Sequence, residues 1–235
     1  MRASIALLLL LTAGCAGYDV PRPEDFERLK LGSTPTPPGS LRLRVHLSLD
    51  SRWLAGEFDG VVIGQSEPVP VARIQLFGDL GPKMIDVLAR PELILGYFPQ
   101  NREGIGAVLP DQATPHPLLF LGVTVLEDLA RVGEERVLGI REEDDGWWLN
   151  LKPLVPGMRV ELRRDANGRT LERRFKWMYG VGWTERWSSP QECRISASGV
   201  EIHVRLLESE PLDQPPSTAF KLTVPSDVRM SGARR

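Results

Sequence analysis

The sequence has few cysteines, no marked excess of one charge and, beyond its first residues, no long hydrophobic run. Its 235 residues contain two cysteines, and the formal net charge is −2. Two cysteines are too few for a disulfide framework, and a near-neutral charge gives no basic footprint for nucleic acid. No stretch after the N-terminus reaches the ~20 apolar residues that span a bilayer as a helix. A disulfide-stapled scaffold is therefore excluded, and no nucleic-acid partner is expected.

The N-terminus has the organisation of a secretory signal. Arg2 supplies a positive charge, Ile5–Leu11 is a short apolar run, and small residues precede Cys15. The run is far shorter than a ~20-residue membrane span, so residues 1–14 are predicted to be a signal peptide. The segment Thr12-Ala13-Gly14-Cys15 resembles the lipobox of bacterial lipoproteins, which implies a covalent lipid anchor on Cys15. An ordinary secretory signal with a chance cysteine is the alternative.

The residues after Cys15 bear on location and on the attachment of the folded part. Ala16 follows the cysteine; by resemblance to lipoproteins of two-membrane bacteria, we expect the periplasmic face of the outer membrane. Residues 15–40 are rich in proline and glycine and predict a tether, with a short helix at Pro23–Leu31. Residues 229–235 are predicted to be a flexible tail.

The segment Leu41–Leu49 alternates strictly between apolar and polar residues. A period of two is typical of a strand with one face buried and one face in solvent. His46 then lies on the solvent face, and neither His116 nor His203 stands at a metal-ligand spacing from it. The pattern predicts a half-buried strand and no metal.

Most of the remaining chain also predicts short strands. They are expected at Trp53–Ile63, Val71–Phe77, Lys83–Ala89, Glu92–Phe98, Arg136–Arg141, Gly146–Leu151, Met158–Arg164, Arg169–Trp177, Glu192–Ser196, Gly199–Leu207 and Ala219–Val224. Asn167-Gly168 marks the clearest hairpin, because such a turn needs residues with positive φ. Short turns between successive strands favour antiparallel pairing.

One helix interrupts the strands. Its predicted range is Leu118–Arg131, with Thr114 as N-cap and Pro115 as first helical residue. The first half of the range is apolar on nearly every side, so the helix is expected to be deeply covered or to lie over a cavity. Glu127, Asp128 and Arg131 are expected in solvent. The predicted fold class is mainly β (α+β), a curved antiparallel half-open β-barrel of about ten or eleven strands wrapping one or two helices.

No motif for catalysis emerges. The sequence has no Gly-x-Ser-x-Gly, His-Glu-x-x-His, phosphate-binding glycine loop or Cys-x-x-Cys. Cys193 lacks an accompanying His–Asp pattern and is interpreted as a small buried or half-buried hydrophobe. The acidic run 142–145 lacks the alternation of a calcium loop and is interpreted as a solvated turn. We expect a protein that is not an enzyme and has neither a cofactor nor a metal.

Three stretches resemble the LolA/LolB-like family of lipoprotein carriers and receptors. Leu54–Ile63 is similar to an early strand of the receptor branch, and Gly78–Pro82 to its projecting turn. Val200–Leu207 with Ala219–Pro225 is similar to the closing strands of the carrier branch. The resemblance implies one domain at 41–228, folded as a half-open barrel with an apolar cavity for acyl chains.

The same resemblance implies roles for particular residues. Leu80, at the tip of a glycine-flanked turn, would insert into a membrane or a partner; a leucine folded back onto the sheet is the alternative. The candidates for lining the cavity are Leu118, Leu121, Val125, Phe175 and Trp177.

Two functions remain open from the sequence. The first is a lipid-anchored, non-catalytic module, expected to be monomeric, that binds acyl chains and aids the transfer or localisation of lipoproteins or lipids. The second is a structural or interaction lipoprotein that uses the barrel as a protein-binding scaffold. The two differ in whether a cavity exists, and inward apolar residues fill a core or line a void with the same pattern.

Overall fold

The computed structural model describes residues 17–29, 39–52, 54–78, 81–108, 116–130, 132–177, 182–216 and 218–231. These residues form two α-helices, one 3-10 turn and 14 strands. The helices are α1 (Pro23–Arg28) and α2 (Pro117–Leu129), and the 3-10 turn is Glu134–Arg136.

All the strands belong to one sheet. They are β1 (Ser40–Ser51), β2 (Gly56–Gln65), β3 (Val71–Phe77), β4 (Lys83–Arg90), β5 (Leu93–Phe98), β6 (Glu103–Val108), β7 (Val137–Glu143), β8 (Gly146–Leu151), β9 (Met158–Asp165), β10 (Thr170–Trp177), β11 (Gly182–Ser189), β12 (Glu192–Ala197), β13 (Val200–Pro211) and β14 (Arg229–Ser231).

The spatial order of the strands is β14-β6-β5-β4-β3-β2-β1-β13-β12-β11-β10-β9-β8-β7. Neighbouring strands pair antiparallel, except that β14 pairs parallel with β6. One side of α2 packs on β2–β5, and its other side reaches β10 and β11 through side-chain hydrogen bonds. The sheet therefore curls around α2, which confirms the predicted half-barrel class.

Strand β1 shows why the alternating sequence folds this way. Val45, Leu47 and Leu49 are at most 6% exposed and face the concave side, toward α2. His46 lies on the opposite face, where its Nδ1 is 3.1 Å from Asp59 Oδ1 on β2. The predicted half-buried strand is confirmed.

The predicted number of strands was too low, because three strands were missed. β6 contains two glycines in six residues and has no apolar alternation. The concave face of β11 includes Glu185 between Trp183 and Trp187, which breaks the apolar pattern. β14 has three residues, all exposed, and forms through its pairing with β6.

One predicted strand was wrong. Residues 219–224 are not a strand, and the segment begins at carbonyls that bind a polar side chain of β3 instead of a neighbouring strand. Arg73 Nη1 donates to the carbonyls of Thr218 and Ala219 at 3.2 and 3.3 Å. The Asp86 carboxylate accepts a hydrogen bond from Arg73 Nε at 2.8 Å and one from Lys83 Nζ at 2.7 Å. The carbonyls thus find partners without a ladder.

The helix differs from its prediction at both ends. α2 begins at Pro117 with His116 as N-cap, so Thr114 and Pro115, which lie outside the described residues, are not its start. The helix ends at Leu129. Its first half is buried on every side, as predicted, but Glu127 is only 3% exposed. The expectation of a solvated Glu127 was wrong because a buried arginine accompanies it, as described below.

The predicted hairpin forms between β9 and β10. Gly168 has φ +81°, and the Asp165 carboxylate accepts hydrogen bonds from the amides of Asn167 and Arg169 at 2.9 Å. A bulge between Thr170 and Glu172 then shifts the register. Beyond the bulge, Arg173 alternates with Phe175 and Trp177 along β10 and therefore faces the concave side with them.

Candidate apolar cavity inside the half-barrel

An apolar cavity of about 140 Å³ lies between α2 and the concave face of the sheet. Its wall is formed by six consecutive strands of the sheet, β3-β2-β1-β13-β12-β11, with α2 across from them. The lining residues are mainly aliphatic: Leu43, Val45, Leu47, Val62, Ile74, Leu121, Val125, Ile195, Val204 and Leu206.

The size of the cavity limits what it holds in this conformation. Engineered apolar cavities of about 150 Å³ bind benzene or xenon, whereas typical ligand pockets measure about 300–1,000 Å³. Most of the concave side is packed core, including Phe120 and Leu126, which are fully buried. The cavity thus accepts one small apolar group or the end of a chain.

Polar side chains lie at one part of the cavity wall. Asp128 and Thr124 belong to α2, whereas Gln191 and Glu192 belong to the β11–β12 turn and the start of β12. The side chain of Asp128 is 54% exposed, which places this part of the wall next to solvent. An apolar ligand with a polar end would be oriented with its polar end here, because burial of an unpaired polar group costs free energy.

A buried ion network joins α2 to β10 and β11. Arg173 Nη2 lies 2.6 Å from Asp128 Oδ1, and Arg173 Nε donates to Glu185 Oε2 at 2.7 Å. The Thr124 hydroxyl donates to the other oxygen of Glu185, to which Trp183 Nε1 also donates at 3.3 Å. Burial raises the pKa of Glu185 to about 7. The network fixes the position of the helix that forms one wall of the cavity.

A second buried pair holds the C-terminal half of α2. Arg136 Nη2 lies 2.5 Å from Glu127 Oε2 and also donates to the carbonyl of Lys152 at 3.0 Å. The other oxygen of Glu127 accepts from the amide of Leu154 at 3.0 Å. Removal of one partner from a buried pair costs about 3–5 kcal/mol, because the remaining charge is left buried. Both pairs therefore resist displacement of α2.

The N-terminus of α2 depends on a neutral histidine. His116 Nδ1 accepts a hydrogen bond from the amide of Leu118 at 3.2 Å, which a protonated ring cannot do. Burial lowers the pKa of His116 to about 4. Its ring also meets Phe98 edge to face, with 6.3 Å between centroids.

The candidate cavity residues fall into two groups. Leu121 and Val125 line the cavity. Leu118, Phe175 and Trp177 lie in the packed core, where Phe175 stacks on Trp183 at 4.4 Å between centroids. Cys15 and Leu80 lie outside the described residues. The roles assigned to all seven residues stay predictions.

Sequence reasoning missed several residues of the wall. Leu43 and Leu206 were placed on strands but not assigned to a cavity, and β11, which supplies Trp187, was not predicted. The alternation of β1 and β13 marks their inward face. It contains no signal that separates cavity from core.

Cys193 also lines the cavity, half-buried. Burial raises the pKa of its thiol well above the usual range, so the reactive thiolate is disfavoured. No hydrogen bond among the described residues joins Cys193 to a histidine. Among the residues that the structure describes, no group of three His, Cys, Asp or Glu side chains could hold a metal ion.

The acidic run 142–145 forms ion pairs with two arginines. Arg28 pairs with Glu142, and Arg163 pairs with Asp145.

Comparison with solved structures identifies the fold. A LolA superfamily protein from Nitrosomonas europaea matches with a TM-score of 0.54 and 16% identity over 83% of this chain and 96% of that chain. A putative outer membrane lipoprotein-sorting protein domain from Vibrio parahaemolyticus matches with a TM-score of 0.59 and 11% identity over 83% and 96%. A DUF1329 family protein from Desulfovibrio piger matches with a TM-score of 0.60 and 10% identity over 86% and 98%. The domain has the LolA/LolB-like fold.

Comparisons by sequence give no relative. No family model matches the chain, and no curated protein matches it. Within the described ranges, no helix combines the length and apolarity needed to cross a bilayer.

Proposed function

We propose that this protein is a lipoprotein, anchored through acylated Cys15 at the periplasmic face of the outer membrane, whose half-barrel binds an acyl chain. It acts without catalysis, cofactor or metal, as a monomer, in the transfer or localisation of lipoproteins or lipids. The observation that carries the proposal is the aliphatic cavity between α2 and the sheet. The shared fold with a domain described as lipoprotein-sorting supports it.

A whole acyl chain requires the cavity to widen. The present volume is close to that of cavities that bind benzene, so only the end of a chain fits without movement. Widening requires α2 to shift away from β1 and β13, which form the opposite wall. The ion network of Asp128, Arg173 and Glu185 then has to stretch or exchange partners. Binding is therefore expected to depend on this network as well as on the apolar wall.

Two neighbouring leucines on β13 provide the test. Leu206 lines the cavity, whereas Leu207 is 48% exposed. The secreted chain from residue 16 onward is purified, and native mass spectrometry measures co-purifying lipid or acylated peptide. We expect lipid bound to the parent chain and to Leu207→Glu, and loss of most of it in Leu206→Glu, because a buried carboxylate is costly. An unchanged mass without lipid in all three, after incubation with lipids, would contradict the proposal.

Leu80 is proposed to deliver the ligand rather than to hold it. A leucine at a glycine-flanked tip has little of its own hairpin to pack against. Leu80→Glu is expected to keep bound lipid in the same mass measurement and to lose transfer to acceptor vesicles. Loss of both activities, or of neither, would contradict a separate delivery role.

A protein-binding scaffold is the second candidate. The observation that favours it is the packed interior, in which 34 buried apolar residues of the described ranges form one core beside the small cavity. Crosslinking in intact cells is then expected to trap one abundant partner, with equal yield from the parent chain and Leu206→Glu.

A further inference from the structure

The segment that follows the predicted anchor is bound to the sheet. Asp19 and Ile140 of β7 exchange two backbone hydrogen bonds, at 2.7 and 2.9 Å. The Tyr18 hydroxyl donates to Glu161 Oε1 at 3.0 Å. Burial, and after it the negative charge of Glu161, raises the pKa of Tyr18 to about 12. The phenol therefore keeps its proton and remains a donor. The chain is thus fixed from residue 18 onward.

Further contacts hold the other end of this segment. Leu29 is 3% exposed and belongs to the core. Arg28 pairs with Glu142 at 2.9 Å, and its guanidinium lies 4.6 Å from the ring centroid of Trp147. Residues 17–29, which the sequence placed in a tether, therefore lie against β7 and β8 through contacts at both ends.

The position of Cys15 follows from chain length. Two residues lie between Cys15 and Tyr18, so three Cα–Cα steps join them, and an extended chain spans about 3.3–3.6 Å per step. The Cα of Cys15 therefore lies within about 11 Å of the docked Tyr18, whatever the conformation between them. An acyl chain on Cys15 enters the bilayer close to β7.

β7 is a terminal strand of the sheet and borders the open side of the half-barrel. Two exposed apolar side chains lie there: Val20 is 84% exposed and follows Asp19 directly, and Leu138 is 55% exposed and precedes Ile140 by two residues. Because Asp19 pairs with Ile140, both side chains lie at the same edge of the sheet. Single exposed apolar residues are ordinary, but this pair lies beside the anchor.

We propose that the docked N-terminal segment holds the β7 edge against the lipid bilayer, with Val20 and Leu138 in contact with it. The orientation rests on the acylation of Cys15, which is part of the proposed function. It does not depend on whether the cavity binds a ligand. The anchor then orients the half-barrel, with its open side next to the membrane, instead of letting the domain stand off.

The experiment uses the full acylated chain in vesicles of phosphatidylethanolamine and phosphatidylglycerol. Single cysteines for an environment-sensitive nitrobenzoxadiazole label are introduced by Val20→Cys or Leu138→Cys in a Cys193→Ser background. Val69→Cys is the matched control, because Val69 is a valine that is 54% exposed in the segment between β2 and β3. Flotation establishes membrane attachment before fluorescence is recorded.

We expect blue-shifted emission and quenching by doxyl lipids at positions 20 and 138 but not at 69. Tyr18→Ala, which removes the phenol that anchors the segment, is expected to abolish the difference. Equal spectra at all three positions in floating protein would overturn the orientation and leave the acyl-binding proposal intact. A chain that does not float would overturn the anchor itself, and an effect at 138 that survives Tyr18→Ala would overturn the role of docking.

Discussion

The two sides of α2 meet the half-barrel in different ways. On one side the helix packs closely on strands, because glycines leave room: an added methyl at Gly64 would lie 2.5 Å from Leu129 Cδ2, and one at Gly96 2.9 Å from Leu118 Cδ1. On the other side the helix is held by Arg173 and its carboxylates. When an apolar contact opens, the stabilisation from its buried surface is lost in proportion to the area exposed to water. When an ion pair opens, its charged groups can form new hydrogen bonds to water or to a ligand. The widening that the proposed function requires is therefore expected on the charged side of α2, where the ion network has to exchange partners.

The largest effect is expected from Arg173→Met. This change removes the ionic partner of both Glu185 and Asp128. Glu185 is fully buried. We expect the free energy of unfolding to fall by about 3–5 kcal/mol. Urea denaturation followed by tryptophan fluorescence measures it.

Arg44→Met is the matched control, because Arg44 on β1 pairs with Glu208 on β13, and the two side chains are 58% and 56% exposed. A surface pair of this kind contributes about 1 kcal/mol or less. Equal losses in both variants would mean that the buried network does not stabilise the charged side.

The unfolding free energy is expected to change with pH in opposite directions for His116, at the N-terminus of α2, and for Glu185, on its charged side. His116 caps the helix while neutral, and its pKa is about 4 in the folded chain against 6.5 in the unfolded chain. Its contribution is fully present above pH 6.5 and is lost as pH falls through 4. Each pKa unit corresponds to 1.36 kcal/mol, so the loss is about 3 kcal/mol. Unfolding curves of the parent chain and His116→Asn, compared at steps from pH 7 to pH 4, measure it; a parallel fall in both would contradict the assignment.

Glu185 acts in the opposite direction. Its pKa is about 7 in the folded chain against 4.5 unfolded, so the folded chain holds the extra proton between these values. This component of the unfolding free energy falls as pH rises through that window. Glu185→Gln is expected to remove the fall, and the parent-minus-variant difference between pH 4.5 and 7 is the measurement. A difference that does not change with pH would show that the carboxyl is ionised throughout.

The smallest effect is expected at the apolar side. Gly64→Ala adds a methyl that overlaps Leu129, and we expect a loss of about 1–3 kcal/mol from overpacking. Gly39→Ala is the control, because nothing lies within 4 Å of its added methyl. Thermal unfolding compares the two, and an unchanged Gly64→Ala would mean that the helix yields on this side as well.

Local patterns predicted the elements that carry regular apolar spacing. β1, the β9–β10 hairpin and the body of α2 follow from periods of two and of about 3.6 residues. β11 was missed because Glu185 occupies an inward position, and inward charge is understood only with Arg173 and Thr124 beside it. Thr124 and Glu185 lie 61 residues apart in the chain. Such pairs, like the cavity itself, depend on tertiary packing that no local pattern contains.

The position of a bound acyl chain tests most directly whether the cavity between α2 and the sheet binds it. Methyl NMR of the mature chain, titrated with a fatty acid that carries a doxyl spin label near its terminal methyl, reports distance at each leucine and valine. If the acyl chain enters the cavity, the methyl signals of Leu43, Val125 and Leu206 broaden selectively, and those of Leu138 and Val69 are unaffected. Uniform broadening of the exposed methyls, with the cavity methyls unchanged, would contradict it.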